Sequence, residues 1–167
     1  MNKLTSNIFT AIFLIITQVI IFNNINLFGY LNPFVYIVFI IYYPIKNDRI
    51  FFIFISFLMG LVIDIFSDTL GLHAAASVTI AYLRPIFLKI SFGQAYIYQV
   101  IKFKNIDLKD KLIYISLLSI VHHVVLFSLE IFNFSKTLFV LEKSFISSIF
   151  TITACILFSY LFKTNER

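Results

Sequence analysis

Apolar runs of membrane-crossing length, broken only by short polar stretches, fill most of this chain and leave it little choice of solvent. A helix rises 1.5 Å per residue, so about 20 apolar residues, within a range of about 17 to 25, cross a hydrocarbon core. Six candidate spans follow: about 7–28, 33–45, 50–66, 70–85, 112–134 and 145–162. The second is short and stops at Pro44, ahead of Lys46-Asn47-Asp48-Arg49. Pro85 should end or kink the fourth, because a proline removes a helix hydrogen bond and crowds the preceding turn. Residues 86–111 mix apolar positions with Lys89, Lys102, Lys104, Lys109 and Lys111, and are expected to continue the fourth helix or lie at the interface before a cytoplasmic loop.

Composition agrees. The 167 residues are 60% hydrophobic and 13% charged, with a mean hydropathy of +0.98, whereas soluble domains are about a quarter charged. A soluble fold would have to expose much of its 22 Phe and 9 Tyr, while a bilayer accepts apolar residues all round a helix. One all-α membrane domain covering residues 1–167 is the economical reading. The abundance of Phe, Ile, Asn and Lys without any Trp points to a low-GC coding bias as much as to selection. Lys3 precedes the run Ile8 to Phe22 with no small-residue cleavage site after it, so an uncleaved first span is expected. The single Cys155 lies in an apolar run, which excludes an internal disulfide and suits a small buried hydrophobe.

Orientation follows from the basic residues. With the N-terminus cytoplasmic, Lys3, Lys46, Arg49, Lys89, Lys102, Lys104, Lys109, Lys111, Lys163 and Arg167 lie inside and only Lys136 and Lys143 outside. Both termini are therefore expected in the cytoplasm. The basic residues form no patch with interleaved aromatics, so no nucleic-acid partner is expected beside the membrane lipids.

Ionisable groups within spans are costly and need partners. They are Asp64, His73, Arg84, His122, His123 and Glu130. The third and fourth spans form a hairpin turning near Thr69, which places position 64 level with 74 or 75. Arg84 then lies roughly 13 Å deeper, out of reach of Asp64. His73 or Ser77 is expected to satisfy Asp64, and Arg84 to snorkel as an anchor at the cytoplasmic interface. Ser56, Gly60, Asp64 and Asp68 share one helix face, opposite a small-residue stripe of Ala74, Ser77 and Ala81 that permits close packing. His123 and Glu130 are seven residues apart on one face, with Glu130 expected near the level of Asp64 and His73 and the histidines near mid-membrane. These polar groups, with Asp68 and Gly71, are the candidates for interhelical bonding or a pocket.

Motifs for catalysis are missing. Asp64-Ile-Phe-Ser-Asp68-Thr-Leu-Gly71 echoes the metal-holding carboxylates of membrane phosphatidyltransferases, but the spacing differs and no second Asp pair follows Arg84. No phosphate loop, zinc-type His-Glu pairing or serine elbow is present. A non-enzyme without cofactor or metal is expected, since a metal needs at least three converging ligands.

Three segments carry a family resemblance: Leu27-Phe-Gly-Tyr-Leu-Asn-Pro-Phe34, Gly60-Leu-Val-Ile-Asp-Ile-Phe-Ser-Asp-Thr-Leu-Gly-Leu-His-Ala-Ala-Ala76 and Ala81-Tyr-Leu-Arg-Pro85. Together they resemble the rod shape-determining protein MreD family, and His122-His-Val-Val-Leu-Phe-Ser-Leu-Glu130 resembles its Bacteroidota form. The resemblance implies a non-enzymatic subunit of the cell-elongation machinery (the elongasome). Its partner would be the single-span protein MreC, and through it MreB filaments inside and peptidoglycan synthesis by RodA and its penicillin-binding transpeptidase outside. It also implies the six-helix fold of the substrate-binding S-components of energy-coupling-factor transporters. The rival expectation is a small-molecule transporter subunit with Asp64, His73 and Glu130 around a pocket.

Overall fold

A computed structural model of the chain describes residues 3–26, 32–45, 48–93 and 106–162. Within them lie six α-helices: α1 (Lys3–Ile20), α2 (Ile37–Tyr42), α3 (Arg49–Ser67), α4 (Leu72–Phe92), α5 (Leu108–Ile131) and α6 (Thr137–Phe162). Short 3-10 turns cover Phe22–Asn24 and Phe134–Lys136, and no strand occurs among the described residues. Five of the helices, all but α2, are long and apolar enough to cross a membrane. The residues Leu27 to Leu31, Lys46, Lys102, Lys104, Lys163 and Arg167, which the sequence reading used for resemblance or orientation, lie outside the described residues.

Local chemistry sets the helix ends. The Asp48 carboxylate caps α3, accepting from the backbone N–H of Ile50 at 2.8 Å and Phe51 at 3.3 Å. The helix stops at Asp68, which sits in the left-handed region at φ 55°, and Gly71 at φ 95° launches α4. Asp68 is exposed at this turn, so it belongs to the hairpin corner and not to an intramembrane cluster. Pro85 does not end α4, which continues to Phe92; the expected span limit is thus corrected. Only one N–H is lost at a proline, and packing against neighbours keeps such helices intact in membranes.

Side-chain bonds show how the helices run. Asn23, just past α1, donates from Nδ2 to Ser67 Oγ at the end of α3 at 2.9 Å, so α1 and α3 are parallel. Arg49 donates to the Tyr82 carbonyl at 3.2 Å and Arg84 to the Tyr114 hydroxyl at 2.8 Å, which makes α3/α4 and α4/α5 antiparallel. Lys111 meets Ser159 at 3.0 Å and Glu130 meets Lys143 at 3.0 Å, closing α5 and α6 into another antiparallel pair. The bundle therefore has an asparagine end, with Asn23, Ser67 and Asn133, and an arginine end, with Arg49 and Arg84.

Small residues bring α3 and α4 together. A Cβ on Gly60 would lie 2.5 Å from the Ala74 Cα and 2.6 Å from the His73 carbonyl oxygen, so only glycine permits this crossing. Ser56, Ala74 and Ala81 are buried. Cys155 is fully buried.

The core is organised around α2. Every residue from Pro33 to Ile41 is buried, and this stretch is enclosed by α1, α4, α5 and α6. Irregular backbone at membrane depth is tolerated only where protein or water satisfies it. Here protein does so.

Candidate functional site: a buried polar centre

The chain reaches α2 through a short irregular stretch whose backbone groups have no helical partners. Gln18 of α1, completely buried, supplies them. Its Oε1 accepts from the N–H of Val35 at 2.7 Å and Tyr36 at 3.4 Å, while its Nε2 donates to the Pro33 carbonyl at 3.1 Å and to Asn23 Oδ1 at 2.9 Å. All four bonding positions of the amide are engaged. Thr151 of α6 adds another contact, accepting from the Phe34 N–H at 3.0 Å.

The other end of α2 is closed by Arg84. Its Nη2 donates to the carbonyls of Ile41, at 3.1 Å, and Tyr43, while Nε donates to the Tyr114 hydroxyl, which itself donates to the Ile41 carbonyl at 3.2 Å. Arg84 is 4% exposed and stacks over the Phe52 ring with its guanidinium 5.0 Å from the centroid. The expectation that it snorkels to an interface is corrected. Unpaired carbonyls at the negative end of a helix attract a fixed cation, and Arg84 reaches that terminus before it reaches headgroups.

Asp64 works at a third helix end. Its two oxygens accept from the backbone N–H of His73 at 2.9 Å and Ala74 at 2.8 Å, and Thr69 donates to it at 2.6 Å. Gly71 precedes α4 without a side chain, so the carboxylate of the neighbouring helix takes over the capping. The level expected for position 64 agrees with this bonding, and Asp64 has no bond to Arg84. Of the two expected partners, His73 is the one that bonds Asp64, through its backbone N–H, while Ser77 does not contribute. An α4 with an exposed N-terminus would leave four N–H groups seeking partners, and a carboxylate one crossing away is the strongest acceptor within reach.

The side chains of His73 and Ser77 face Tyr36 instead. The Tyr36 hydroxyl lies 3.1 Å from His73 Nδ1, 2.6 Å from His122 Nε2 and 3.5 Å from Ser77 Oγ, and all four residues are buried. His123 faces another partner set: Nδ1 is 2.7 Å from the Ser119 carbonyl and Nε2 is 3.2 Å from Thr151 Oγ1. The Phe34 ring packs among the three imidazoles, at 4.9 Å from His73, 5.7 Å from His122 and 5.2 Å from His123 between centroids. The structure thus gathers His73, Ser77, His122 and His123 around the entrance to α2. Glu130 stands apart, exposed at the asparagine end and paired with Lys143, not beside Asp64 and His73 around a pocket.

Chemically this is a lock in which the polar groups bond one another, with His122 Nδ1 left without a partner. No three of the described His, Cys, Asp and Glu side chains converge for a metal ion. A groove of about 180 Å³ lies elsewhere, between α1 and α3 with Phe39 and Tyr43 beneath it, and its lining includes Ala11, Ile15, Ile55 and Met59. Sequence reasoning missed Gln18, Tyr36, Tyr114 and Thr151. Gln18 was legible as a polar residue inside an apolar run, and Thr151 as the last of a Ser144, Ser148, Thr151 stripe at helical spacing. The tyrosines carried no signal among nine.

Comparison with protein families, with curated proteins and with solved structures finds no match to this chain.

Proposed function

We propose that the chain is a non-enzymatic membrane scaffold of the MreD type, binding a single-span partner such as MreC in the cytoplasmic membrane and helping couple the MreB cytoskeleton to peptidoglycan synthesis and rod shape. The observation that carries this reading is that the residues of the resemblance hold the fold together. Asp64, Gly71 and His73 build the α3/α4 corner, and Arg84 holds the end of α2. A motif so engaged is what a scaffold requires, whereas a transporter subunit needs such groups turned toward a polar, ligand-sized cavity. The groove between α1 and α3 is apolar and supports a helix-binding role.

The six-crossing topology belongs to the same proposal. Because α1 and α3 are parallel, the chain between them must return through the bundle. Pro33 to Ile45, part irregular and part helix, extends roughly 25 Å, close to the ~30 Å of a hydrocarbon core. Six crossings with both termini cytoplasmic suit an S-component-like fold.

Depletion in a rod-shaped host with microscopy tests the function: rounding of the cells is expected, and unchanged rods would overturn it. Co-purification with MreC is the biochemical counterpart. Saturable binding of a small solute by the isolated protein would favour transport instead.

A further inference from the structure

The adjacent histidines of α5 sit in different bonding environments, and donor–acceptor logic assigns a tautomer to each. A backbone N–H only donates and a backbone carbonyl only accepts. The Phe34 N–H therefore donates to Thr151, and the Ser119 carbonyl accepts from His123 Nδ1. With Nδ1 carrying the hydrogen, neutral His123 offers a lone pair at Nε2, and the Thr151 hydroxyl donates to it. One directed chain results, from Phe34 through Thr151 and His123 to Ser119, with every link used.

His122 is decided by its other ring nitrogen. The Tyr36 hydroxyl has one hydrogen and lies between His122 Nε2 and His73 Nδ1, while Ser77 donates to its oxygen. Two arrangements satisfy Tyr36 equally: it donates to His73 and accepts from His122, or the reverse. His122 Nδ1 is buried with no hydrogen-bond partner. In the reverse arrangement that atom carries a stranded N–H; in the first it is a bare lone pair. Orphaned buried N–H groups are the rarer and costlier of the two.

We infer that neighbouring His122 and His123 hold opposite neutral tautomers, His122 protonated at Nε2 and His123 at Nδ1, and that this pairing fixes the entrance to α2 from two sides. His123 positions Phe34 through Thr151, and His122 positions Tyr36 directly. The centre then has an unengaged acceptor at His122 Nδ1, so it accommodates a hydrogen-bond donor there and repels an anion. Asp64 makes no hydrogen bond to the imidazoles, because both of its oxygens accept from the start of α4.

Nitrogen-15 NMR of histidine-labelled full-length protein in detergent, assigned with His122→Gln and His123→Asn, reads the tautomers directly at neutral pH. The expected spectrum has two histidines protonated at Nε2, His73 and His122, of which the His122 signal is lost in H122Q, and one protonated at Nδ1, lost in H123N. The same tautomer at both positions, or a doubly protonated ring at either, would overturn the inference. A stability arm uses geometry: a glutamine Nε2 stands where the imidazole Nε2 stands, and an asparagine Nδ2 near the imidazole Nδ1. His122→Gln should hold its melting temperature closer to wild type than His122→Asn, and His123→Asn closer than His123→Gln. The opposite ranking at either position counts against the assignment. A variant that fails to fold leaves the wild-type spectrum, assigned by differential labelling, to decide.

Discussion

Single polar side chains in this protein act at helix ends, and that determines what replacing them does. Asp64 accepts two backbone N–H bonds and a hydroxyl, so Asp64→Asn keeps one good acceptor and turns an amide N–H toward donors. A loss of about 1–3 kcal/mol is expected, read as a lower melting temperature in detergent with helix content retained. Arg84→Lys should not rescue Arg84→Ala, because an ammonium cannot reach Tyr114 and two carbonyls from one planar group. Both variants should lose about 2–4 kcal/mol by thermal melting, with lysine recovering little of it. The Glu130–Lys143 pair, with Glu130 exposed at a bundle end, is the control: Glu130→Gln should change stability by less than about 1 kcal/mol.

At the level of the helices, close approach is the controlling quantity. Gly60→Ala places a methyl 2.5 Å from Ala74 Cα, and backbone cannot give way as a flexible side chain can. The α3/α4 crossing must open, with an expected cost of about 1–3 kcal/mol, while Ala74→Gly in the same variant should restore little because the obstruction is main chain. Thermal unfolding of single and double variants checks this. How far such features were legible from residues alone differs by element. The five long helices follow from hydropathy, and the 64-to-74 level follows from helical rise across a hairpin. α2 was legible only as a short proline-bounded span, because its stability comes from Gln18, Arg84, Tyr114 and Thr151, which are scattered over 134 positions of sequence and carry no local pattern. Arg84 was misplaced for a related reason: snorkelling is the default for a basic residue near a span end, and only the tertiary structure reveals a helix terminus closer than the headgroups. Pro85 lies inside α4, which continues to Phe92, one of the two outcomes left open for residues 86–111; packing against neighbouring helices carries it there.

For the whole molecule, the parallel course of α1 and α3 has a consequence for topology. An even number of crossings puts both chain ends on one side of the membrane. Cysteine-accessibility labelling of residues added at each terminus, in a Cys155→Ala background, should give equal protection in intact cells; opposite labelling would mean that Pro33 to Ile45 does not cross. The exposed apolar faces of α1, with Phe9, Ile12, Phe13 and Ile16, then contact lipid or a partner helix along the whole bilayer depth.

Gln18 also bears on how the protein is made. Its amide is matched by backbone that follows it by more than a dozen residues, and the Phe34 N–H beside it waits for Thr151, over a hundred residues later. When α1 enters the membrane, Thr151 has not yet been synthesised. The Phe34 N–H therefore has no Thr151 to donate to until the last helix has been synthesised. Biogenesis thus ends, rather than begins, with closure of the centre. A nascent chain halted before α6 should remain loosely inserted and be an early target for membrane proteases.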